Sequence, residues 1–555
     1  MTDILAVNPG STTTKIALFR DLQVLFEETI THDPEELKKM GDIFGQLGFR
    51  GKLIRKVLDE KEYDTAMLSA AVGRGGMIIG LHGGGYRVTP KLCEAMRDPG
   101  NPPHASSMGA QLAYDIAEPL GIPAFIYDST MGCELSQVAK VSGLEGLDRY
   151  GCCHVLNSRA QAINYAKSTG RNYKDLNLIV CHMGGGISVS AHKEGRIIDD
   201  STYDNGPMAP ERTGGIPLIL WTKLCYSGRY TEEEAGKLIS GRGGLMSYLG
   251  VTDCRQVEAM IDKGNEKAAI VYEAMAYQVA KAIAEMSVPL KGKVDAVILT
   301  GGAAHSERLT GMIKEYAPHI GEYVVMPGED ELLALASGAD RILRGEEEER
   351  IYQLKKLLFV NGCIRGEDSR TYQLCRYFIE KFMESGASGS WTVEEIELDK
   401  SGIEPLDRET LILRDKLLNG GNLDHPMFAP AKQLIEADMI LIGAPYWDLS
   451  FPAKVKIYLE RCSVTGLTFI YDDCGIPAGQ CRADALVYLT TSGSAIGSFN
   501  FGYDYVRGLC SLFGIPETYF ASAEELDIIG KDVPAIMESA KDKITEIIKE
   551  MKRYI

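Results

Sequence analysis

The chain has 555 residues, and its 59 Lys and Arg against 77 Asp and Glu give a formal net charge of -18. With 45% hydrophobic and 25% charged residues, the composition is that of a globular protein, and the length predicts several domains. The acidic balance argues against general nucleic-acid binding, because phosphate backbones are held by basic surfaces. Thirteen cysteines without a CxxC pair predict reduced thiols and no zinc site.

The N-terminal segment MTDILAVNPG lacks a basic region and a long apolar region. No apolar run reaches the length of about 18 residues that a spanning helix needs. We therefore expect a cytoplasmic protein with no membrane partner.

The first predicted elements form a hairpin, with strands over 4–7 and 12–19 joined by the turn at Pro9-Gly10. Because side chains alternate along a strand, one face is expected to carry Ser11, Thr13 and Lys15. Two hydroxyls and a cation beside a glycine turn suit a nucleotide phosphate. The alternative is an exposed, Thr-rich hairpin with a solvated lysine.

The pattern of apolar strand, glycine turn and alternating strand recurs over 177–200. A third strand runs into glycines within 296–309. This repetition predicts a structural duplication in which three glycine junctions enclose one nucleotide, with Gly184, Gly185, Gly186, Gly301 and Gly302 at the second and third junctions.

A domain boundary is predicted near residue 352, after the acidic run at 346–349. The acidic run alone is also typical of the solvated end of a helix. We expect domains over 1–350 and 357–555, joined by a linker over 351–356. In the second domain strands and helices alternate, which predicts a doubly wound parallel sheet with its ligand at the carboxyl ends of the strands.

Residues 1–350 carry VNPGSTTTK, GRGG, AFIYDS, CHMGGGIS, PERTGG and TGGAAHSE, and this order resembles the acetate and butyrate kinase family, the butyrate kinase branch most closely. The resemblance implies a mixed α/β, two-lobed, actin-like (ribonuclease H-like) fold. It also implies reversible transfer of phosphate from ATP to a short-chain carboxylate, leaving ADP and an acyl phosphate, with Mg²⁺ and a homo-oligomeric state.

By this resemblance, Asn8, Ser11, Thr13 and Lys15 form the first phosphate motif. Arg74 and Arg212 would be the active-site arginines, since a guanidinium holds a carboxylate or phosphoryl group by two parallel hydrogen bonds. Taken singly, each would be a surface-loop cation.

The resemblance assigns further roles to His182, Asp128, Asp330 and Glu331. His182 would lie near the phosphates, the alternative being a core histidine. Asp128 would hold magnesium or orient the incoming group, the alternative being a turn or a helix cap. Asp330 and Glu331 would bind the metal, although an acidic cluster at a helix start has the same pattern. The family has two histidines where this chain offers His154.

Residues 357–555 resemble the flavodoxin-like, FMN-dependent azoreductases and NAD(P)H quinone reductases. The resemblance implies that Ser369, Arg370 and Thr371 hold the FMN phosphate at a helix N-terminus, with Cys363 where the family often has Ser. It places two loops along the flavin, Pro445, Tyr446, Trp447 and Asp448 in one and Thr491, Ser492, Gly493 and Ser494 in the other. Core or interface aromatics are the alternative for Tyr446 and Trp447.

The sequence thus predicts a carboxylate kinase fused to an FMN-dependent NAD(P)H oxidoreductase whose electron acceptor the sequence does not identify. One alternative keeps the kinase but makes the second domain a non-catalytic flavin-binding or redox-sensing module. Another makes the chain a non-catalytic, actin-like ATP-binding scaffold.

Overall fold

The computed structural model describes residues 1–551 except 79, 99, 145–146, 203, 388–390 and 472–474. The chain divides into two compact units, Met1–Tyr352 and Gln353–Ile555. Among the described residues, no helix combines the length and the apolar character needed to cross a membrane.

Twelve strands and thirteen α-helices make up the described part of the first unit. The strands are β1 (Asp3–Pro9), β2 (Thr13–Arg20), β3 (Gln23–Thr31), β4 (Ala70–Arg74), β5 (Gly85–Arg87), β6 (Ala124–Tyr127), β7 (Leu178–Met183), β8 (Ile187–Lys193), β9 (Arg196–Ser201), β10 (Ala296–Gly301), β11 (Tyr323–Pro327) and β12 (Arg350–Ile351). The helices are α1 (Pro34–Lys38), α2 (Leu47–Glu60), α3 (Pro90–Ala95), α4 (Met108–Ala117), α5 (Gln137–Lys140), α6 (Val155–Ser168), α7 (Leu218–Cys225), α8 (Glu232–Ile239), α9 (Gly244–Leu249), α10 (Cys254–Asp262), α11 (Glu266–Met286), α12 (Glu307–Tyr316) and α13 (Glu331–Leu343).

Two sheets form the two lobes of this unit, in the orders β12-β5-β6-β4-β1-β2-β3 and β11-β10-β7-β8-β9. In each lobe an antiparallel three-stranded meander is extended by a strand parallel to its first strand, β4 beside β1 and β10 beside β7. This repeat confirms the predicted two-lobed, ribonuclease H-like fold class.

The opening hairpin forms as predicted, but its turn lies over residues 10–12, because β1 extends to Pro9. Strand β2 begins at Thr13, so Ser11 lies exposed in the turn and does not belong to the strand face. The fully buried Arg50 of α2 holds this turn from behind, donating to the carbonyl oxygens of Thr13 (2.8 Å) and Ser11 (3.1 Å). The conformation of the turn therefore depends on this buried cation, whose partners lie 37 and 39 residues away in sequence.

The first lobe is completed by residues from both ends of the unit. Helix α13 packs on β1, with Leu332 and Leu335 in the same buried cluster as Ile4 and Ala6. Strand β12 pairs with β5 at the sheet edge. The second lobe, between them in sequence, is therefore an insertion into the first.

The acidic run 346–349 is engaged in specific contacts. Glu349 accepts two hydrogen bonds from Arg87, at 2.7 and 2.8 Å, and Glu347 accepts one from the Tyr127 hydroxyl at 2.5 Å. Ile351 belongs to β12 and Lys355 begins the next strand, so the segment between strands is 352–354, shorter than the expected linker.

The second unit is a single doubly wound domain. Its strands are β13 (Lys355–Asn361), β14 (Trp391–Glu397), β15 (Met439–Gly443), β16 (Phe469–Tyr471), β17 (Pro477–Gly479), β18 (Ala485–Thr491) and β19 (Glu517–Ala523). Its helices are α14 (Arg370–Phe382), α15 (Arg408–Asn419), α16 (Ala429–Glu436), α17 (Ala453–Cys462), α18 (Phe501–Phe513) and α19 (Val533–Glu550). The main sheet has the order β14-β13-β15-β18-β19 with every pair parallel, and buried clusters cover both faces. This confirms the flavodoxin-like fold class.

Candidate active sites

Two of the three predicted glycine junctions line one pocket in the first unit. The turn Gly184–Gly186 joins β7 to β8, and Gly301 ends β10 beside β7. Gly301 has a φ of 85°, and a Cβ there would lie 2.5 Å from the carbonyl oxygen of Met183, so this close approach requires glycine. The pocket measures about 730 Å³, a volume that suits a nucleotide. Its lining is Gly184, Gly185, Pro210, Glu211, Thr252, Asp253, Cys254, Arg255, Glu258, Gly302, Ala303, His305, Ser306 and Glu329.

Glu331 joins the opening hairpin to Arg74. Asn8 donates from Nδ2 to Oε2 of Glu331 at 2.5 Å, and Arg74 donates from Nη1 to Oε1. Asn8 and Arg74 lie near the carboxyl ends of the adjacent parallel strands β1 and β4, which is why one carboxylate reaches both. Each oxygen of Glu331 therefore accepts a hydrogen bond, through which Glu331 positions Arg74, and metal binding by Glu331 stays a prediction.

Asp330, the other expected metal ligand, is exposed and caps helix α13. Its Oδ1 accepts from the Leu333 backbone N–H at 2.9 Å. The helix-start pattern noted in the sequence is thus present, and metal binding by Asp330 stays a prediction.

His182 is buried between two polar partners. Its Nδ1 lies 2.9 Å from Oδ1 of Asn157, and its Nε2 lies 3.3 Å from Oε2 of Glu329. Sequence reasoning missed both partners, although Glu329 directly precedes the predicted Asp330. The hydrogen bond from His182 lowers the pKa of Glu329, and the charges of Lys15 and Arg74 lower it further, so Glu329 is the anion that faces these cations.

His154 stacks on His182, with ring centroids 3.9 Å apart. Burial lowers the pKa of His154 well below its usual value, and the charges of His182, Arg212 and Arg74 lower it further. The imidazole is therefore neutral near physiological pH. Both predicted arginines contribute to this shift, so both lie in the neighbourhood of the same ring.

Arg212 depends on a glycine for its position. A Cβ added to Gly186 would overlap the guanidinium Cζ of Arg212. Arg212 also forms an isolated bridge with Ser240 through its backbone. The glycine turn thus provides space for the arginine as well as for a ligand.

Asp128 lines a small cavity together with Asn157, the partner of His182, and Asp330. It is fully buried, its Oδ1 accepts from the Gly84 N–H at 2.7 Å, and the same oxygen lies 2.8 Å from Nε of Arg159. Burial raises the pKa of Asp128, and Arg159 opposes that shift. The backbone is left-handed, with a φ of 47°. These contacts fit the structural alternative, a charged turn residue held by a buried cation that the sequence did not reveal.

The expected FMN phosphate residues begin helix α14 of the second unit. Ser369 is the N-cap and accepts from the Tyr372 N–H at 3.4 Å. The buried Thr371 hydroxyl lies 2.7 Å from that of Thr491, which ends β18. Arg370 contacts Oδ1 of Asp527 at 3.2 Å, so it would exchange this partner for a phosphate.

The two predicted flavin loops lie at neighbouring strand ends. The Tyr446 N–H donates to the Thr491 carbonyl at 3.0 Å, which ties the loop after β15 to the loop after β18. Trp447 is 45% exposed, which rules out the alternative of core burial, while its place along the flavin or at an interface stays a prediction. The neighbouring Asp448 has a left-handed φ of 48°. Ser492 and Gly493 receive backbone hydrogen bonds from Leu526 and Asp527. Pro445 and Ser494 lie in the same two loops.

The acetokinase family model matches residues 138–315, and the flavodoxin-like fold model matches residues 355–548. A probable butyrate kinase of Listeria monocytogenes serovar 1/2a is 43% identical over 352 residues, which cover 63% of this chain and 99% of that protein. Butyrate kinase 1 of Clostridium acetobutylicum is 44% identical over 352 residues with the same coverage. The crystal structure of Porphyromonas gingivalis acetate kinase, at 19% identity and a TM-score of 0.52, covers 62% of this chain and 100% of that chain, and shows the shared fold. With this identity across nearly the whole length of both butyrate kinases, the chain belongs to the acetokinase family and carries a flavodoxin-like unit after its kinase-like unit.

Proposed function

We propose that the first unit is a carboxylate kinase that transfers a phosphoryl group reversibly between ATP and a short-chain carboxylate such as butyrate. The convergence of Arg74, Arg212 and the stacked pair His154 and His182 beside the glycine-lined pocket is the observation that supports it most. A protein that only binds a nucleotide has no need for two arginines that hold the carboxylate substrate and the transferring phosphoryl group.

In the proposed reaction a carboxylate oxygen attacks the γ-phosphorus, the bond from that phosphorus to the bridging oxygen breaks, and ADP leaves. The carboxylate is already ionised at neutral pH, so no base is required. The contribution of the chain is to position the substrates and to stabilise charge, for which two guanidinium groups are suited. The burial of Asp128 against Arg159 is compatible with a reaction that uses no general base.

Mg²⁺ would neutralise phosphate charge in this reaction. Asp330 and Glu331 are the predicted carboxylates that would hold it, and of the two Asp330 is the exposed one. The backbone N–H groups of Gly185 and Gly186 and the side chain of Lys15 would bind phosphate oxygens, while the Gly184 N–H donates to the Gly186 carbonyl within the turn.

Trapping the acyl phosphate as a hydroxamate tests this proposal. The full chain with ATP and Mg²⁺ is assayed against a series of straight and branched acids, and we expect product with C3 to C5 acids. ATP binding without product from any acid would favour the non-catalytic scaffold.

The substitution Arg212→Lys tests the arginine separately. Lysine supplies a point charge where a transferring phosphoryl group is held by a planar fork, so we expect kcat to fall by about two to three orders of magnitude. Arg308→Lys, at an exposed ion pair with Asp262, is the matched control. Equal turnover in the two variants would remove Arg212 from the catalytic residues.

We propose further that the second unit binds FMN and passes electrons from NAD(P)H to an acceptor. The support is the flavodoxin-like strand order together with the capped N-terminus of α14 and two linked loops at the same edge of the sheet. FMN would supply hydride and electron transfer, while Ser369, Arg370 and Thr371 would hold its phosphate and Trp447 would cover its ring.

The visible absorption spectrum of the purified chain, followed by anaerobic addition of NADH or NADPH, tests this second proposal. We expect a flavin spectrum that bleaches on reduction. Arg370→Ala is expected to weaken FMN binding, whereas Arg376→Ala, an exposed position on the same helix, leaves it unchanged. A bound flavin that neither nucleotide reduces would favour the non-catalytic sensing module.

A further inference from the structure

Two cysteines and an aspartate that are distant in sequence meet inside the first unit. Cys133 follows β6, Cys153 precedes α6, and Asp200 lies in β9. The Cys133 Sγ lies 3.5 Å from the Cys153 Sγ and 3.2 Å from Oδ2 of Asp200, and the three ligand atoms all lie within 4.8 Å of one another. Their sequence spacing matches no zinc motif, which is why the sequence predicted no site.

The Asp200 carboxylate lacks a full set of partners. It is completely buried, and its Oδ1 has no hydrogen-bond partner among the described residues. The nearby Arg149 directs Nη2 to the Asp199 carboxylate (3.0 Å) and to the carbonyl oxygen of Asp200 (2.7 Å). The carboxylate therefore lies buried beside two thiols with one of its oxygens unpaired within the described part of the chain. A buried carboxylate in this situation is costly unless a cation pairs with it.

We propose that Cys133, Cys153 and Asp200 bind a thiophilic divalent cation, Zn²⁺ in the cell, with water in the fourth position. Thiolate and carboxylate are zinc ligands, and the tetrahedral geometry with Zn–S distances near 2.3 Å places two sulfurs about 3.8 Å apart. The observed Sγ–Sγ distance of 3.5 Å needs only a small opening to reach this value. Binding converts two thiols to thiolates and releases two protons to solvent, leaving a site of net charge near -1.

The ion would fasten three separate segments together next to the candidate kinase site. Cys153 directly precedes His154, whose ring stacks on His182 at 3.9 Å. The three ligands would therefore act as positioning residues for His154. Metal binding itself does not rest on the proposed kinase activity.

Metal analysis of the full chain tests the proposal. By inductively coupled plasma mass spectrometry, we expect about one zinc ion per chain in the wild type and in Cys225→Ser, a control cysteine in α7, and none in Cys133→Ser or Cys153→Ser. Without any carboxylic acid substrate present, we expect the zinc-free variants to show a lower thermal midpoint for the first unit. If activity is present, their kcat should fall while KM for ATP changes little.

A second measurement does not depend on any variant folding. Co²⁺ titrated into reduced, metal-free wild-type protein should produce thiolate-to-cobalt charge-transfer absorption that saturates at about one ion per chain. The proposal is overturned if reduced wild-type protein neither retains zinc nor gives this absorption. A Cys133–Cys153 disulfide found by mass spectrometry in freshly purified protein would also overturn it, since it would assign the pair to thiol chemistry.

Discussion

Gly186 determines where the guanidinium of Arg212 can lie. A substitution at Gly186 is therefore expected to change the catalytic rate without changing the stability of the fold. The backbone of Gly186 is not left-handed, so alanine fits the main chain, and the atoms it would displace are the flexible end of an arginine. We expect Gly186→Ala to keep the thermal midpoint within a few degrees while kcat falls about 10²-fold to 10³-fold, because one preorganised charge is moved.

The hydroxamate assay and a thermal melt of the same sample measure these two effects. Gly236→Ala in α8 is the control, since a Cβ there meets nothing within 4 Å. Normal turnover in Gly186→Ala would show that Arg212 works equally well from another position, and loss of the folded state would show that the turn itself needs glycine.

His192 gives the second lobe a defined response to acid. It is fully buried in β8, with Nδ1 2.7 Å from the Tyr173 hydroxyl and Nε2 2.8 Å from the Ser190 hydroxyl. Burial lowers its pKa to about 3. In the unfolded chain His titrates near pH 6.5, so the stabilisation is complete above that pH and is lost as the pH falls from about 6.5 toward about 3.

As the pH falls from about 6.5 to 5, we expect the titration of His192 to lower the free energy of unfolding of this lobe by roughly 1–2 kcal/mol. Hydrogen–deuterium exchange of β7 and β8 peptides, followed by mass spectrometry, measures it. His192→Asn should start less stable but lose less on acidification, whereas the exposed His319→Gln should behave as the wild type. Equal pH slopes in His192→Asn and the wild type would contradict the prediction.

Helix α7 is the element whose surface least suits an isolated protein in water. Leu218, Ile219 and Leu220 are 77%, 74% and 62% exposed, and Tyr226 just after the helix is 89% exposed. Burying each such side chain contributes about 1.5–3 kcal/mol. Apolar patches of this kind mark interaction surfaces, and we expect a second copy of this chain to cover this one.

Sedimentation velocity checks this expectation, which agrees with the homo-oligomer predicted from the sequence. We expect the wild-type chain to sediment as a homo-oligomer and Ile219→Glu to dissociate it. Val288→Glu, an equally exposed apolar position outside α7, should leave the assembly intact. A wild-type monomer at micromolar concentration would contradict the expectation.

The elements themselves were largely predictable, because their signals are local. Alternating and continuous apolar runs indicated the hairpins and the parallel strands, and their repetition indicated two similar lobes. The partners of the charged residues were not predictable, since they come from distant positions. Arg50 reaches back 37 residues, and Glu331 meets Asn8 across 323 residues. The sequence therefore singled out Asp128 and Glu331 as candidate site residues. It could not show that Asp128 pairs with Arg159 or that Glu331 pairs with Arg74.

At the scale of the whole molecule, the two units are each complete in their sheets and buried clusters. We propose that they fold independently, and we expect fragments 1–352 and 353–555 to be soluble, the first with kinase activity and the second with bound FMN. Each has enough residues to bury its own core. Circular dichroism, the hydroxamate assay and the flavin spectrum check the fragments.

The cut lies between strands, so it preserves both β12 and β13. A control cut after residue 343 removes β12 and the ion pair from Arg87 to Glu349, and should yield a less stable first fragment. If either fragment at the 352 cut is insoluble alone and recovers on coexpression, the two units depend on each other for folding.

Because helix α13 covers β1, one face of β1 stays unburied until α13 has been synthesised. The face of β1 that carries Ile4 and Ala6 is covered by Leu332 and Leu335, so it waits for more than 300 further residues to be translated. At ordinary elongation rates this is on the order of tens of seconds. During that time the inserted lobe, continuous in sequence, can complete its own sheet. On the ribosome, this face of β1 is therefore buried long after the strand is made, and a chaperone that holds emerging apolar strands has a long opportunity to bind it.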